Sequence, residues 1–413
     1  MLGTASPSAG YPRQRSDESA RKRGQAPTPI RPYDRRRLYA DMAILLQQDL
    51  ANIEAGLYPL PAGHDGSLLT LLHRSRLFFE DLPTIHRRRE SGSHNDVLTE
   101  ETRGRRPRYY LQNFHFQTGG WMTDDSAGRY DTQVEVLFNG TANATRRQAL
   151  PQLHEVFAGR DQRRLRLLDI GCGTGRFLDF VKQAWPRLPT VGLDMSEPYV
   201  RYARRHLKRW SRINLTVGNA ESLPVPDESQ DAVTSIFVFH ELPPKVRRIV
   251  FRECARVLKP GGRLVLVDSL QRGDQPDYDG ILELFPQNYH EPYYKSYTNE
   301  NFSELAAGCG LTHIRDVKAF VSKVMVFDSQ FWPDFFLTLH GKTLSGACGS
   351  SRSLCFRHCE NAYFLARYIR DLVNKVGRFL RRPTSGPRQL SAHVGDALLG
   401  IHLSRGRWLR RQL

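Results

Sequence analysis

Between residues 165 and 328, short apolar runs alternate with segments whose apolar residues recur every three or four positions. The runs have the length of buried strands, whereas the spacing between them is typical of helices. The predicted strands span residues 165–170, 190–194, 213–217, 231–239, 263–268, 312–320 and 322–328. The predicted helices span residues 176–185, 251–258 and 301–307. Because strands alternate with helices and the last two strands form a tight antiparallel pair, we expect an α/β fold with a mixed sheet.

Upstream of residue 150 the pattern is helical. Apolar residues at positions 38, 42, 45, 46, 50 and 53 share one helical face and predict a helix over residues 38–53. Further helices are predicted at 67–79, 83–89 and 144–157, with a charged linker at 90–108. Residues 109–121, YYLQNFHFQTGGW, are unusually aromatic. They either cover a bound ligand or pack a helical layer against the sheet.

Charge separates the ends of the chain from its body. Residues 1–37 hold nine Lys or Arg and three Asp or Glu, and residues 331–413 hold fourteen and four. Of the formal net charge of +17, residues 38–330 therefore carry only +1. A nearly neutral body lacks the basic surface expected of a nucleic-acid enzyme, so we do not expect a nucleic-acid partner.

These patterns divide the chain into four segments. We expect a disordered basic N-terminus at 1–37, a helical and aromatic extension at 38–149, the α/β domain at 150–328, and an irregular basic appendage at 329–413. One helix is predicted inside the appendage, at 361–380.

The first strand of the α/β domain leads into a glycine-rich loop. Residues 165–175, LRLLDIGCGTG, place Gly171, Gly173 and Gly175 at alternate positions, two residues after Asp169. A strand, a glycine turn and a helix form the first half of a Rossmann-like unit, which binds its ligand at the carboxyl end of the strand. The dinucleotide fingerprint is G-x-G-x-x-G, whereas the spacing here is D-x-G-x-G-x-G.

This pattern resembles motif I of the class I S-adenosylmethionine (SAM) methyltransferases. Other landmarks of that family follow in register: an acid ending the second strand at Asp194, GNAES at 218–222, and RVLKPGGRLVLVD at 256–268. The resemblance covers about residues 150–328, and the stretch 218–233 is closest to the ubiquinone and menaquinone biosynthesis type. It implies a Rossmann-like, seven-stranded mixed sheet and SAM as cofactor.

The resemblance also implies the cofactor site. Asp169 would receive the amino group of SAM and Asp194 both ribose hydroxyls, although Asp194 is alternatively the N-cap of the next helix. Asn219 departs from the Asp common at the adenine position, but its carbonyl oxygen can still accept a hydrogen bond. The full expected set is Asp169, Gly171, Cys172, Gly173, Gly175, Asp194, Met195, Asn219, Ala220 and Phe237.

The catalytic candidate is His240, in the sequence FHEL after the fourth strand. An imidazole titrates near neutrality and could take a proton from a phenol, an acid or a thiol; the alternative is a structural histidine at a strand end. Further candidates are Glu241, His290, Glu291 and Tyr293. In the appendage, the spacing of Cys348, Cys355, His358 and Cys359 is not a zinc arrangement, and we expect no metal.

The leading hypothesis is SAM-dependent methyl transfer to a small organic acceptor, on an oxygen, carbon, nitrogen or sulphur atom. A protein or RNA methyltransferase anchored by its basic ends, and a non-catalytic binding protein of this fold, are the alternatives. The chain contains no apolar run of transmembrane length, no secretory signal and no cysteine framework. These features predict a cytoplasmic protein without a transmembrane segment, with organellar targeting as the alternative.

Overall fold

The computed structural model of the protein describes residues 35–62 and 68–330, which contain one seven-stranded sheet flanked by helices. The strands are β1 Leu167–Ile170, β2 Thr190–Asp194, β3 Ile213–Val217, β4 Gln230–Ile236, β5 Leu258–Ser269, β6 Leu311–Ala319 and β7 Ser322–Ser329. Their order in the sheet is β3-β2-β1-β4-β5-β7-β6, with β7 antiparallel to both of its neighbours. The predicted Rossmann-like mixed sheet is therefore confirmed.

The sheet has helices on both faces, and the sequence of β1 shows why. Leu167 and Leu168 point to opposite faces, and both are fully buried. Leu167 packs in one core with Phe177 and Leu178, whereas Leu168 packs in the other with Phe251. A strand covered on both faces needs a continuous apolar run, which is what the sequence provides.

The helices of the described residues range from 5 to 24 residues in length, and most of them flank the sheet. Their bounds are α1 Arg35–Glu54, α2 Leu68–Ser91, α3 Asp124–Leu137, α4 Ala142–Arg147, α5 Ala149–Phe157, α6 Arg176–Ala184, α7 Glu197–His206, α8 Pro244–Val257, α9 Asp279–Asn288, α10 Tyr294–Thr298 and α11 Phe302–Ala307. The predicted helix at 38–53 corresponds to α1. The predicted helix at 361–380 and the cysteine-rich stretch 348–359 lie outside the described residues.

Two helix predictions in the N-terminal extension are wrong in their boundaries. From residue 68 onward the two predicted segments form the single helix α2, although Pro83 removes a hydrogen-bond donor from its interior. Tertiary contacts hold this helix together, because Asp81 pairs with Arg129 of α3 at 2.5 Å and accepts the backbone N–H of Thr118 at 3.0 Å. In the other case, the predicted helix 144–157 is divided into α4 and α5 at Gln148.

The fourth strand ends earlier than its apolar run predicts. Phe237 has a φ of +58°, which an extended strand does not tolerate, so β4 stops at Ile236. Residues Phe239–Glu241 then form a turn of 3₁₀ helix. This turn places His240 and Glu241 at the carboxyl edge of the sheet.

Among the helices of residues 35–62 and 68–330, none is both as long and as apolar as a membrane crossing requires.

Candidate active site

A cleft of about 820 Å³, its open mouth included, lies at the carboxyl ends of β1, β2 and β4. In the sheet, β1 is followed by β2 on one side, whereas its neighbour β4 is followed by β5 on the other side. Ligands of open α/β sheets bind at such a switch point. Six residues of the expected cofactor set line the cleft: Gly171, Gly173, Asp194, Met195, Ala220 and Phe237.

The glycine loop forms the floor of the cleft. Gly171 and Gly173 have φ values of +68° and +53°, a conformation that favours glycine. The N–H of Gly171 donates to the carbonyl of Leu193 at 2.7 Å, and that of Gly173 donates to Asp194 Oδ2 at 2.9 Å. The loop is thereby fixed against the end of β2, with its backbone open to a ligand.

Asp194 is held at both carboxylate oxygens. While Oδ2 accepts from Gly173, Oδ1 accepts from the N–H of Ser196 at 2.8 Å. Burial raises the pKa of Asp194, and these backbone hydrogen bonds oppose the shift. The alternative role as a helix cap is wrong, because Ser196 is the N-cap of α7 and accepts from Tyr199 N. The carboxylate therefore faces the cleft with lone pairs to spare.

The other four expected residues, Asp169, Cys172, Gly175 and Asn219, do not line the cleft. Asp169 is 1% exposed and accepts a hydrogen bond from the Thr234 hydroxyl at 2.6 Å. Burial outweighs that hydrogen bond and raises the pKa of Asp169 to about 7. Cys172 is buried within the loop, and Gly175 begins α6 as its N-cap.

Asn219 differs from its expected use. Its carbonyl oxygen accepts the N–H of Glu221 at 3.0 Å, and its amide donates to the Glu221 carboxylate at 3.0 Å. The oxygen expected to face the adenine is thus engaged in a local turn. Tyr109 donates to the same Glu221 carboxylate at 2.8 Å and so connects the aromatic segment to this end of the cleft.

The aromatic segment packs in the core, as one of the two interpretations predicts, and it also lines the cleft, where covering a bound ligand stays a prediction. The rings of Trp121, Tyr130 and Tyr199 form an edge-to-face cluster with centroids 5.5 Å apart. The aromatic residues in the cleft wall are Tyr109, Tyr110, Phe114, Trp121, Tyr130, Tyr199 and Phe237. The N-terminal extension therefore supplies one wall of the site.

His240 is fixed by Asp268, a residue to which the sequence analysis assigned no function. The ring Nδ1 lies 2.6 Å from Asp268 Oδ1, and the backbone N–H of His240 donates to Oδ2 at 3.2 Å. Because β4 and β5 are parallel neighbours, their carboxyl ends meet at one edge of the sheet. An acid at the end of β5 was the sequence signal for this partner.

The expected titration of His240 near neutrality is wrong. Burial would lower the pKa of His240, but the charge and the hydrogen bond of Asp268 outweigh it and raise the pKa to about 10. The imidazole is consequently protonated at neutral pH. A protonated ring cannot serve as a general base in that state.

Two more carboxylates surround this histidine. Glu241 lines the cleft, with Oε1 3.9 Å from His240 Nε2, and Glu291 is buried behind it. Burial and the charge of Glu291 raise the pKa of Glu241 well above its ordinary value. His115, which the sequence analysis also missed, lies with Nε2 2.8 Å from Glu291 Oε1.

The remaining base candidates lie elsewhere. His290 Nε2 lies 2.7 Å from Gln112 Oε1, and its ring stacks on His94 at 3.9 Å. Burial lowers the pKa of His290 to about 4. Tyr293 contacts the same Gln112 at 3.4 Å, and neither residue lines the cleft.

Comparison with known proteins agrees with the fold and the loop. Residues 167–262 match a methyltransferase domain family. The demethylmenaquinone methyltransferase of Lactiplantibacillus plantarum is 30% identical over 198 residues, which are 44% of this chain and 80% of the relative. The chain belongs to the class I SAM-dependent methyltransferases. It is accordingly an enzyme of that class with SAM as its methyl donor.

Other relatives of this methyltransferase match over shorter stretches. A malonyl-[acyl-carrier protein] O-methyltransferase of Methylococcus capsulatus is 41% identical over 99 residues, covering 24% of this chain and 35% of the relative. A fatty-acid O-methyltransferase of Mycolicibacterium smegmatis is 31% identical over 34% of this chain and 50% of its own length. The chain therefore spans half or less of these two relatives. A SAM-dependent methyltransferase structure from Aquifex aeolicus is 21% identical, covers 43% of this chain and 86% of its own, and has a TM-score of 0.33.

Proposed function

We propose that this methyltransferase transfers the methyl group of SAM to a small organic acceptor held between the glycine loop and the aromatic wall. The observation that carries the proposal is that Asp194 and the aromatic residues of the N-terminal extension line one and the same cleft. A concave site with an aromatic wall suits an organic molecule better than an extended polymer.

In this proposal, different residues of the cleft contact different parts of SAM. Asp194 accepts the ribose hydroxyls, a charge-assisted pair of hydrogen bonds, and Ala220 faces the adenine. The glycine loop allows the methionyl part to approach the backbone, with Met195 and Phe237 beside it. Outside the lining of the cleft, Asp169 attracts the cationic amino group, while Cys172, Gly175 and Asn219 shape the loop and the adenine end.

The transfer itself needs alignment more than acid–base chemistry. The nucleophilic atom of the acceptor forms a bond to the methyl carbon as the carbon–sulphur bond breaks, and sulphur keeps the electron pair as a neutral thioether. The protein has to align the two partners and exclude water. His240 is the proposed catalytic residue at the acceptor end, where Asp268 orients its ring toward Glu241.

The relatives support a small acceptor. They are methyltransferases of demethylmenaquinone, of fatty acids and of the malonyl-[acyl-carrier protein]. Quinone nuclei and acyl chains are apolar groups that an aromatic wall would contact favourably.

The test is transfer of a labelled methyl group from SAM by the full chain. The acceptors would be small phenols, quinols, carboxylic acids and amines, beside total protein and total RNA. We expect label in a small organic product, its loss in Asp194→Ala, and its retention in the control Asp161→Ala, whose side chain is 38% exposed. Label found only in protein or RNA would overturn the proposal.

A further inference from the structure

The cluster formed by His240, Glu241 and Glu291 has the donors of a metal site. One ligand atom from each residue lies within 4.8 Å of the other two. The side chains are 10%, 20% and 0% exposed, so the cluster is not a solvated acidic surface. At neutral pH the positive charge within the cluster is the proton on His240, and a metal cation that binds the ring nitrogen replaces that proton.

Glu291 supplies an independent observation. Its Oε1 lies 2.8 Å from His115 Nε2, but its Oε2 is buried and has no hydrogen-bond partner among the described residues. An unsatisfied carboxylate oxygen in a protein interior costs free energy and calls for a ligand or an ion. The same carboxylate is a member of the cluster.

His240 is oriented as metal-bound histidines are. Its Nδ1 is engaged with Asp268 at 2.6 Å, which directs Nε2 toward Glu241. A histidine ligand usually donates its second ring N–H to a carboxylate, which fixes the ring for coordination. Asp268 is itself fixed, because its Oδ1 accepts the N–H of Ser269 at 2.7 Å.

We propose that His240, Glu241 and Glu291 bind a divalent transition-metal cation at the acceptor end of the cleft. An imidazole with two carboxylates suits Mn²⁺, Fe²⁺ or Zn²⁺ better than Ca²⁺, which takes six to eight oxygen ligands. Three protein ligands leave coordination positions for another molecule. Because Glu241 lines the cleft, that open side faces the acceptor.

The inference deepens the proposed function and rests on it for the acceptor's chemistry. A cation at this position selects acceptors with a hydroxyl or phenol oxygen, since it lowers the pKa of a bound oxygen. The proton of that hydroxyl passes to solvent. The oxygen then bonds to the methyl carbon while the carbon–sulphur bond breaks and its electron pair stays on sulphur.

The test is titration of the full chain with Mn²⁺ alone, with the free ion counted by electron paramagnetic resonance. We expect one tight site per chain. Its affinity should fall about tenfold or more in Glu291→Gln and in His240→Gln, and about as much in Asp268→Asn, which removes the carboxylate that orients the histidine. The matched control is Glu283→Gln, which removes a carboxylate of α9 that pairs with Arg272 outside the cluster.

SAM binding to the same proteins separates the two proposals and reports folding. Wild-type protein that binds SAM but no Mn²⁺ overturns the metal site and leaves the methyl-transfer proposal intact. Mn²⁺ affinity that is equal in Glu291→Gln, His240→Gln and the control also overturns it. If a variant fails to bind SAM, the wild type alone provides the test, through the broadening of the SAM methyl resonance by bound Mn²⁺. Absence of broadening would contradict a metal site at the acceptor end of the cleft.

Discussion

Two aspartates near the glycine loop show how position determines what the same side chain can do. Asp194 lies in the cleft wall and accepts two backbone hydrogen bonds, which stabilise its charge. Asp169 is 1% exposed, has one hydroxyl donor, and has a pKa raised to about 7. Asp194 is therefore placed for direct contact with a ligand. Asp169 is instead placed to ionise when a cationic group binds nearby.

The raised pKa of Asp169 predicts that SAM binding depends on pH. Below pH 7 the carboxyl is protonated, and the cationic amino group of SAM favours the ionised form, so binding releases a proton. The association constant should increase about fivefold to tenfold from pH 6 to pH 7.5. Calorimetry at the two pH values measures this, and Asp169→Asn should bind more weakly with a flatter profile. An identical pH profile for wild type and variant would contradict the assignment.

At the scale of elements, the N-terminal extension is part of the site. Asp131 of α3 is buried and accepts from the Thr174 hydroxyl at 2.8 Å and from Arg176 Nη2 at 3.0 Å, at the start of α6. A second attachment joins the Ser196 hydroxyl to the Trp121 carbonyl at 2.5 Å. The extension thus supports the helix whose N-terminus carries the glycine loop.

Removing Asp131 should destabilise the fold strongly. Asp131→Ala takes a negative charge away from Arg176, which is 4% exposed, and loss of one partner of a buried ion pair costs about 3 kcal/mol or more. Urea unfolding of the full chain, followed by tryptophan fluorescence, measures the change. Asp125→Ala, at an exposed position of the same helix, is the control and should change the free energy of unfolding by less than about 0.5 kcal/mol. Equal midpoints for the two variants would show that the attachment is unimportant.

At the scale of the molecule, the local sequence pattern was enough to predict the sheet but not the acceptor end of the site. All seven strands were predicted, because most of them are short apolar runs between turns and β6 alternates apolar with polar residues. The glycine loop and Asp194 were also predictable, since each adjoins the end of a strand. His115, His240, Asp268 and Glu291 are far apart in sequence and meet only in the folded chain. The sequence marks His240, Glu241 and Glu291 singly as candidates, but no local spacing shows that they meet one another and Asp268, and the pKa of His240 depends on that meeting.

The same limit explains the wrong boundaries predicted for α2 and β4. Pro83 suggests a break between two helices, but the contacts of Asp81 with α3 and Thr118 keep α2 continuous. The end of β4 depends on the positive φ of Phe237, which the apolar run does not encode. In each case, contacts or backbone geometry set by the tertiary structure override the local preference.

The most direct test of the account is calorimetric binding of SAM to the full chain, beside Asp194→Ala and Asp161→Ala. Loss of a charge-assisted hydrogen-bonded pair costs about 3 kcal/mol, so Asp194→Ala should bind SAM about 100-fold more weakly than wild type. Asp161→Ala, altered at an exposed carboxylate, should bind as the wild type does. A folded wild type that fails to bind SAM, or an Asp194→Ala variant that binds it equally tightly, would contradict the cofactor site proposed for this cleft.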